Sequence, residues 1–301
     1  MKIKNLVLAG LFLMSSLTIA SAQVKLSFNP EKGKKYEYQV DITQKIQQNL
    51  MGQSIPLESE ISTTYLVEVK DKSPQETTVQ FTYKDVVCII SSPMMKMGYD
   101  SKDPIGNGSE LDKMLAKMYS HLIDVPIMVV IAPDGSVKSV TGMDGVAENM
   151  MKSIANDGQM ATQIGASMKS QFTDDAIKNS FGQFFNMYPA NAIKTGESWN
   201  MESDVSVNNM NLNHKTKYTL KEVKKNVATI AVASDLKMNL GAGAEGEIAG
   251  TGTGTVTVDV KTGLSVISEI TQNMKGTVKA QGMEVQMELI TKTKTTTKEV
   301  K

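Results

Sequence analysis

The chain has 301 residues, of which 41% are hydrophobic and 21% are charged, and its 32 basic residues balance its 32 acidic residues. This composition is that of a folded protein long enough to bury its own core. Every basic residue is a lysine, and the charges are dispersed. A nucleic-acid partner is therefore not expected, because it needs a clustered basic face.

Residues 1–22 have the three features of a secretory signal peptide. Lys2 and Lys4 precede an apolar stretch over residues 6–14, and Ala20-Ser21-Ala22 is a small-residue cleavage site. The whole run up to Ala20 is shorter than the roughly 20 residues that cross a bilayer. We expect an exported protein, periplasmic or secreted after cleavage following Ala22, with no transmembrane segment in the mature chain.

The next part of the chain, residues 34–91, alternates apolar and polar residues with period two. Tyr36, Tyr38, Val40 and Ile42 fall on one face of a first strand, and residues 61–69 and 79–83 continue the pattern. This alternation predicts antiparallel strands with one face in water.

The middle of the chain has the spacing of amphipathic helices. Ser109 can cap a first helix, Asp144 begins a second, and Thr173 can cap a last one. Between the second and the last, apolar residues at helical spacing predict one more helix; they are Met160, Ile164 and Met168.

The carboxyl-terminal third is again strand-like. It ends on an apolar face of Met283, Val285, Met287 and Leu289. The two strand-rich parts share an order of features, from Gly33 and Gly196 onward, which suggests an ancient duplication with an insertion in the first copy around residues 94–122. The alternative is that any two antiparallel meanders share such an order of features without a duplication.

The predicted fold class is α+β, with a large curved antiparallel sheet packed on a helical layer in the manner of a half-barrel. We expect one domain over residues 23–301. Its strand halves are residues 23–142 and 191–301, and its helical middle is residues 143–190.

Motifs for catalysis or cofactor binding are weak. Residues 241–246 match G-x-G-x-x-G, but Gly250, Gly252 and Gly254 follow where a dinucleotide site needs a helix. We expect this glycine-rich segment to be a flexible connection or a glycine-weakened strand edge. His121 and His214 are far apart, and Cys88 lies in an apolar run that predicts a buried, unreactive thiol. We expect no enzyme, no cofactor and no metal site.

Methionine is the one enriched residue type with a chemical meaning. Of the 21 methionines, many fall between Met94 and Met168. They fill a core, line a deformable apolar pocket, or, for the cluster at residues 94–97, bind Cu(I). The predicted pocket lining is Met114, Met118, Met150, Met151, Phe181 and Phe185.

The signal peptide, the segment 194–199 (Lys-Thr-Gly-Glu-Ser-Trp) and the strand after Lys261-Thr262-Gly263 resemble an uncharacterised family of exported proteins of Bacteroidetes-type bacteria. The resemblance implies a periplasmic or secreted location and supplies no activity. At the level of plan, the predicted fold is also similar to periplasmic lipoprotein carriers and lipid-binding half-barrels, an analogy that does not transfer function.

Two functions remain open from the sequence. In the first, the protein is a non-catalytic envelope protein that binds a hydrophobic small molecule such as a lipid. In the second, it is an interaction module that docks on another envelope protein through sheet edges or the glycine-rich segment 241–254.

Overall fold

The computed structural model describes residues 23–50, 52–103, 108–143, 145–158, 165, 171–207, 210–240, 244–280 and 283–301. The predicted signal peptide, Asp144, and the predicted helix with Met160, Ile164 and Met168 lie outside the described residues.

Twelve strands of the described chain form one antiparallel sheet that does not close. The strands are β1 Lys35–Leu50, β2 Gln53–Lys72, β3 Thr77–Ser92, β4 Met95–Asp100, β5 Pro126–Ile131, β6 Val137–Thr141, β7 Ser198–Val207, β8 Met210–Lys224, β9 Val227–Asn239, β10 Ala244–Asp259, β11 Ser265–Ala280 and β12 Met283–Val300. The described helices are α1 Glu110–Tyr119, α2 Val146–Ile154 and α3 Asp174–Phe185. The predicted fold class is confirmed.

The strand order across the sheet is β6, β5, β3, β2, β1, β12, β11, β10, β9, β8 and β7, so that β1 and β12 lie in the middle and β6 and β7 at the edges. The strand β4 pairs with β3 outside this order. The first and last strands, β1 and β12, pair along their whole length, from Lys35 opposite Val300 to Leu50 opposite Val285. The sheet therefore breaks between β6 and β7, where the chain leaves it to form α2 and α3.

The sheet is rolled, because α3 contacts both of its edge strands, β6 and β7. In a flat sheet these edges would be about 48 Å apart, at about 4.8 Å per strand. A helix of 12 residues is only about 18 Å long. The two edges must curl towards each other, and α3 occupies the gap between them.

One face of the sheet, here called the helix-side face, packs against α3. Phe181 lies 4.5 Å from Phe81 and 6.2 Å from Tyr65 between ring centroids, and Tyr38 stacks on Phe185 at 6.4 Å. Because residues paired across strands share a face, the predicted face of Tyr36, Tyr38, Val40 and Ile42 is this one.

The helix starts predicted from the sequence are confirmed at two positions. Ser109 and Asp112 form a capping box at the start of α1, and the Thr173 hydroxyl accepts the Ala176 N–H at 3.2 Å. The helix α2 begins after Gly145, which has φ 79° and makes no side-chain cap.

The two strand halves share a plan, as the duplication hypothesis requires. The Gly33 N–H donates to the carbonyl of Val69 at 2.9 Å, and the Gly196 N–H donates to that of Leu220 at 2.7 Å. Both glycines have positive φ, and a register shift follows each acceptor residue. The strand β4 and the helix α1 occupy the predicted insertion.

The glycine-rich segment corrects one expectation. From Ala244 onward it forms β10, which pairs with β9 on one side and β11 on the other. It is an interior strand, neither a flexible connection nor a sheet edge, and its backbone is already paired. Residues 241–243 lie outside the described part.

Candidate functional site

A row of polar residues, broken by one glycine, crosses the helix-side face and divides it in two. The paired positions, from β8 to β2, are Thr216, Ser234, Gly252, Gln272, Thr291, Gln44 and Ser59. The Thr216 and Ser234 hydroxyls are hydrogen-bonded at 3.0 Å, and Gln44 donates to Thr291 at 3.4 Å. We call these residues the polar row.

On one side of the polar row the sheet is filled. All three described helices and the segment 24–29 pack there into one continuous core. The segment 24–29 closes the end, since the Phe28 N–H donates to the Pro133 carbonyl at 2.9 Å and the Asn29 N–H to the Thr262 carbonyl at 2.7 Å. This part, from the polar row to the turns at residues 73–76 and 225–226, is the filled half.

On the other side lies a second, smaller apolar cluster, which among the described residues consists of strand side chains alone. Its buried members are Leu236, Ile248 and Met274, and around them lie the half-buried Leu212, Met238, Val278, Met287 and Leu289. Ile46, Ile55 and Leu57 extend this surface across β1 and β2, and are also half-buried. We call this part of the helix-side face the open half.

Glycines shape the open half. Gly250 lies between Leu236 and Met274 in the pairing, and a Cβ at this position would overlap with the Asn273 carbonyl oxygen. Glycine therefore lets neighbouring strands approach closely where the sheet curls.

The opposite face of the same strands is charged. Lys45 pairs with Glu58 at 2.8 Å, and Lys237 pairs with Glu247 at 2.5 Å. The strands of the open half are therefore apolar on the helix side and polar outside, although the described helices fill only the other half.

The six residues predicted to line a pocket lie in the filled half. Met114, Met118, Met150, Phe181 and Phe185 are buried, and Met151 is half-buried. The structure brings Phe181 and Phe185 together at 6.3 Å, while the methionines lie on α1 and α2. Phe185 lines a cavity of only about 20 Å³, beside Tyr38 and Phe81. A pocket lined by these residues stays a prediction.

The apolar surface of the open half could be predicted only in part from the sequence. The face of Met283, Val285, Met287 and Leu289 was recognised as the last apolar strand face, and it forms one wall of the open half. The alternation of residues along one strand did not show that the apolar faces of β1, β9 and β12 lie on the same side of the polar row.

His214 stands at the boundary between the two halves, one pairing row beyond Thr216. Its Nε2 is buried and has no hydrogen-bond partner. Burial lowers the pKa of the His214 imidazole, because the charged form loses its hydration. A cavity of about 20 Å³ lies between it and Gln183 of α3 and Asn186, the residue after α3.

Cys88 and His121 are the other residues with potentially reactive side chains. Cys88 is buried, which raises its thiol pKa, and it contacts the Tyr119 hydroxyl. His121 is exposed just after α1. Within the described ranges, no three His, Cys, Asp or Glu residues are grouped to hold a metal ion. None of the described helices has the length and apolar character to cross a bilayer.

A model of a protein family described as a family of unknown function (DUF6263) matches residues 74–265. No curated protein matches the chain. A solved structure on lipid–protein interactions in lipovitellin is 10% identical, with a TM-score of 0.44, and the match covers 89% of this chain and 25% of that chain. This chain thus spans about a quarter of the lipovitellin chain.

Two further solved structures match the chain with lower scores. Pseudomonas aeruginosa OccK7 is 6% identical with a TM-score of 0.25, and the match covers 89% of this chain and 100% of OccK7. The β domain of the Bordetella autotransporter BrkA is 6% identical with a TM-score of 0.22, over 88% of this chain and 99% of that domain. Scores this low do not establish a shared fold.

Proposed function

The chain belongs to the DUF6263 family, and because the function of that family is unknown, we propose one from the rolled sheet: this is a non-catalytic envelope protein that holds an acyl chain of a lipid against its open half. The observation that carries the proposal is the open half itself. It is an apolar part of the sheet face, with Leu236, Ile248 and Met274 buried and a border of half-buried apolar side chains that Gln48 of β1 interrupts, and no residue of the described helices belongs to this cluster.

The size of the open half suits one acyl chain. From Gln44 to Leu50, β1 advances six residues, or about 20 Å at about 3.4 Å per residue. One leaflet of a bilayer has a hydrocarbon thickness of about 15 Å. An extended chain can therefore lie along the strands between the polar row and the turns beyond.

The residue types also suit a flexible hydrocarbon. Met238, Met274 and Met287 present unbranched, adaptable side chains. Below them the polar row offers hydroxyl and amide groups at which a lipid head group or a terminal carboxylate can be hydrogen-bonded.

The envelope location is part of the proposal and is supported by the signal-peptide pattern of residues 1–22. The absence of catalysis is supported by the placement of the candidate groups. Cys88 is inside the core, His121 is on the surface beyond α1, and the described residues that line the cavity beside His214 belong to β7, β8, α3 and the following Asn186.

The test is to purify the protein from the envelope fraction of its host and to identify bound lipid by native mass spectrometry. The stripped protein is then titrated with a fluorescent fatty acid. The expected result is one acyl chain per protein, displaced by unlabelled fatty acid. A protein that carries no lipid and does not bind the probe at concentrations below its micelle point would contradict the proposal.

The alternative, docking on another envelope protein, has one observation in its favour. The strand β7 is a sheet edge, and edges offer unpaired backbone groups for strand addition. A photo-crosslinker at the exposed Asp204 of β7 would then join one reproducible envelope protein, and the same group at exposed Lys221 of β8 would not. Equal crosslinking from both positions would remove this alternative.

A further inference from the structure

The helix-side face has no charged side chain in or beside the polar row. The neighbouring pairing row towards the open half runs from Ser203 of β7 to Leu57 of β2, and the row towards the filled half runs from Trp199 of β7 to Ile61 of β2. Among the described positions of these two rows and of the polar row, none is Lys, Asp or Glu. A polar group bound here therefore meets no full charge from this face of the sheet.

The titratable side chains of these rows are uncharged at neutral pH. They are His214, in the row towards the open half, and Tyr218, in the row towards the filled half. Burial lowers the pKa of the His214 imidazole and raises the pKa of Tyr218 to about 12, because each charged form loses its hydration. Neither side chain offers a cation to an anionic ligand.

The same strands carry charges on their outer face. The outer-face row next to the polar row runs from Glu202 of β7 to Glu58 of β2. In this row Lys215 Nζ lies 3.5 Å from Oε1 of Glu202, and Lys45 Nζ lies 2.8 Å from Oε1 of Glu58. The uncharged surface is therefore a property of one face and not of these strands in general.

The part of the polar row that a ligand can reach consists of hydroxyls and amides. At the β8 end Thr216 and Ser234 are buried and hydrogen-bonded to each other, whereas the row from β11 to β2 is half-buried. We call this half-buried part the accessible row, and its members are Gln272, Thr291, Gln44 and Ser59. The side chain of Gln272 makes no hydrogen bond to any residue in the described part of the chain. Its amide can both donate and accept, as a hydroxyl group on a ligand requires.

An ionised head group matches the accessible row poorly. A carboxylate or phosphate accepts hydrogen bonds only, and in proteins its charge is matched by lysine or arginine. Moving an ion out of water without such a partner costs far more than moving a hydroxyl that keeps its hydrogen bonds. Members of the accessible row on adjacent strands stand about 4.8 Å apart. A head with several hydroxyl and ester oxygens can therefore bond to more than one of them.

We propose that the ligand of the open half is a neutral lipid with hydroxyl and ester groups in its head, as in an acylglycerol, and that this head lies on the accessible row. The acyl chain then runs from the accessible row along the strands of the open half. The proposal rests on the proposed function for the acyl-chain site, and it adds the class of head group and the position of the head.

The experiment compares three lipids with the same oleoyl chain: monooleoylglycerol, oleate and oleoyl-lysophosphatidylcholine. Each displaces the same fluorescent fatty acid from the native protein at neutral pH, below the concentration at which it forms micelles. Monooleoylglycerol is expected to act at about tenfold lower concentration than the two charged lipids. Equal potencies, or a charged lipid that binds more tightly, would overturn the proposal and leave the acyl-chain function standing. If neither the fluorescent fatty acid nor any of the three lipids binds, the acyl-chain function is rejected, and this proposal with it.

Two adjacent residues on β11 test the position of the head. Gln272→Lys adds a cation to the accessible row, and Asn273→Lys adds the same cation to the exposed outer face. Gln272→Lys should raise the potency of oleate relative to monooleoylglycerol by about tenfold, because it supplies a charge-assisted hydrogen bond, and Asn273→Lys should keep the native ratio. An unchanged ratio in Gln272→Lys, with circular dichroism showing a folded protein, would overturn the proposal. If Gln272→Lys does not fold, the ranking of the three lipids by the native protein decides alone.

Discussion

The filled half and the open half are built from the same strands, and the side chains on one strand change character at the polar row. Along β1, Tyr36, Tyr38 and Val40 are buried beneath α3 and the segment 24–29, whereas Ile46 beyond Gln44 is half-buried. The same alternation continues through both parts. A strand pattern thus reports which face is apolar and does not report what covers that face.

The difference assigns separate physical tasks to the two halves. Aromatic and branched side chains in tight contact stabilise the filled half, where Tyr38, Phe81 and Phe185 leave a cavity of only about 20 Å³ between them. In the open half no aromatic side chain belongs to the described cluster, and its methionines are flexible side chains that can adapt to a ligand. Stability should therefore depend mostly on the first half and ligand binding mostly on the second.

The largest expected effect is on stability in the filled half. Phe181→Ala removes a ring that contacts both Phe81 and Tyr65 and should lower the free energy of unfolding by about 3–5 kcal/mol. Chemical denaturation measures it. The matched change in the open half, Met287→Ala, removes a half-buried side chain and should cost clearly less. Equal losses would mean that both halves are equally filled.

A smaller effect is expected from the curl of the sheet. Gly250→Ala should destabilise the fold by about 2 kcal/mol, because its Cβ would overlap with the Asn273 carbonyl oxygen and the strands must separate. Gly252→Ala is the control, since its Cβ would lie 3.2 Å from the Cγ of the Gln272 side chain, which can move. If the control were the more damaging change, the account of the curl would be wrong.

The smallest expected effect is a pH dependence at the boundary of the halves. The folded state lowers the pKa of His214, so below the ordinary histidine value of about 6.5 the unfolded chain binds the proton first. The stability due to the neutral imidazole is complete above that value and is lost as the pH falls through the folded pKa.

Thermal unfolding across this range would show the effect, and His214→Gln should flatten the pH profile. The same substitution at exposed His121 controls for the loss of one histidine. An unchanged profile in His214→Gln would show that another group is responsible.

The sequence predicted elements and faces well, because these depend on local periodicity. The strand alternation around Tyr38 and the caps at Ser109 and Thr173 are present in the structure. Each follows from residues close together in the chain, where side-chain spacing and backbone hydrogen bonds are sufficient evidence.

What the sequence did not reveal depends on neighbours that are distant in the chain. Alternation cannot show that β1 pairs with β12, and this pairing joins the two strand halves and lets the sheet roll. For the same reason, the glycine-rich segment looked flexible when it is an interior strand between β9 and β11. The helix methionines, from Met114 to Met151, were predicted to line a pocket because their spacing is helical. The methionines of the open half lie on several different strands, so no spacing in the sequence connects them.

The central claim is that the helix-side surface of the open half binds an acyl chain, and one pair of adjacent residues on β12 tests it most directly. Met287 points to the open half and Gln286 is exposed on the outer face. Fluorescent fatty-acid titration of Met287→Lys and Gln286→Lys compares the same new charge on the two faces. The account predicts an affinity loss of about tenfold or more, equivalent to at least about 1.4 kcal/mol, for Met287→Lys and none for Gln286→Lys. Equal affinity in the two folded variants would contradict it.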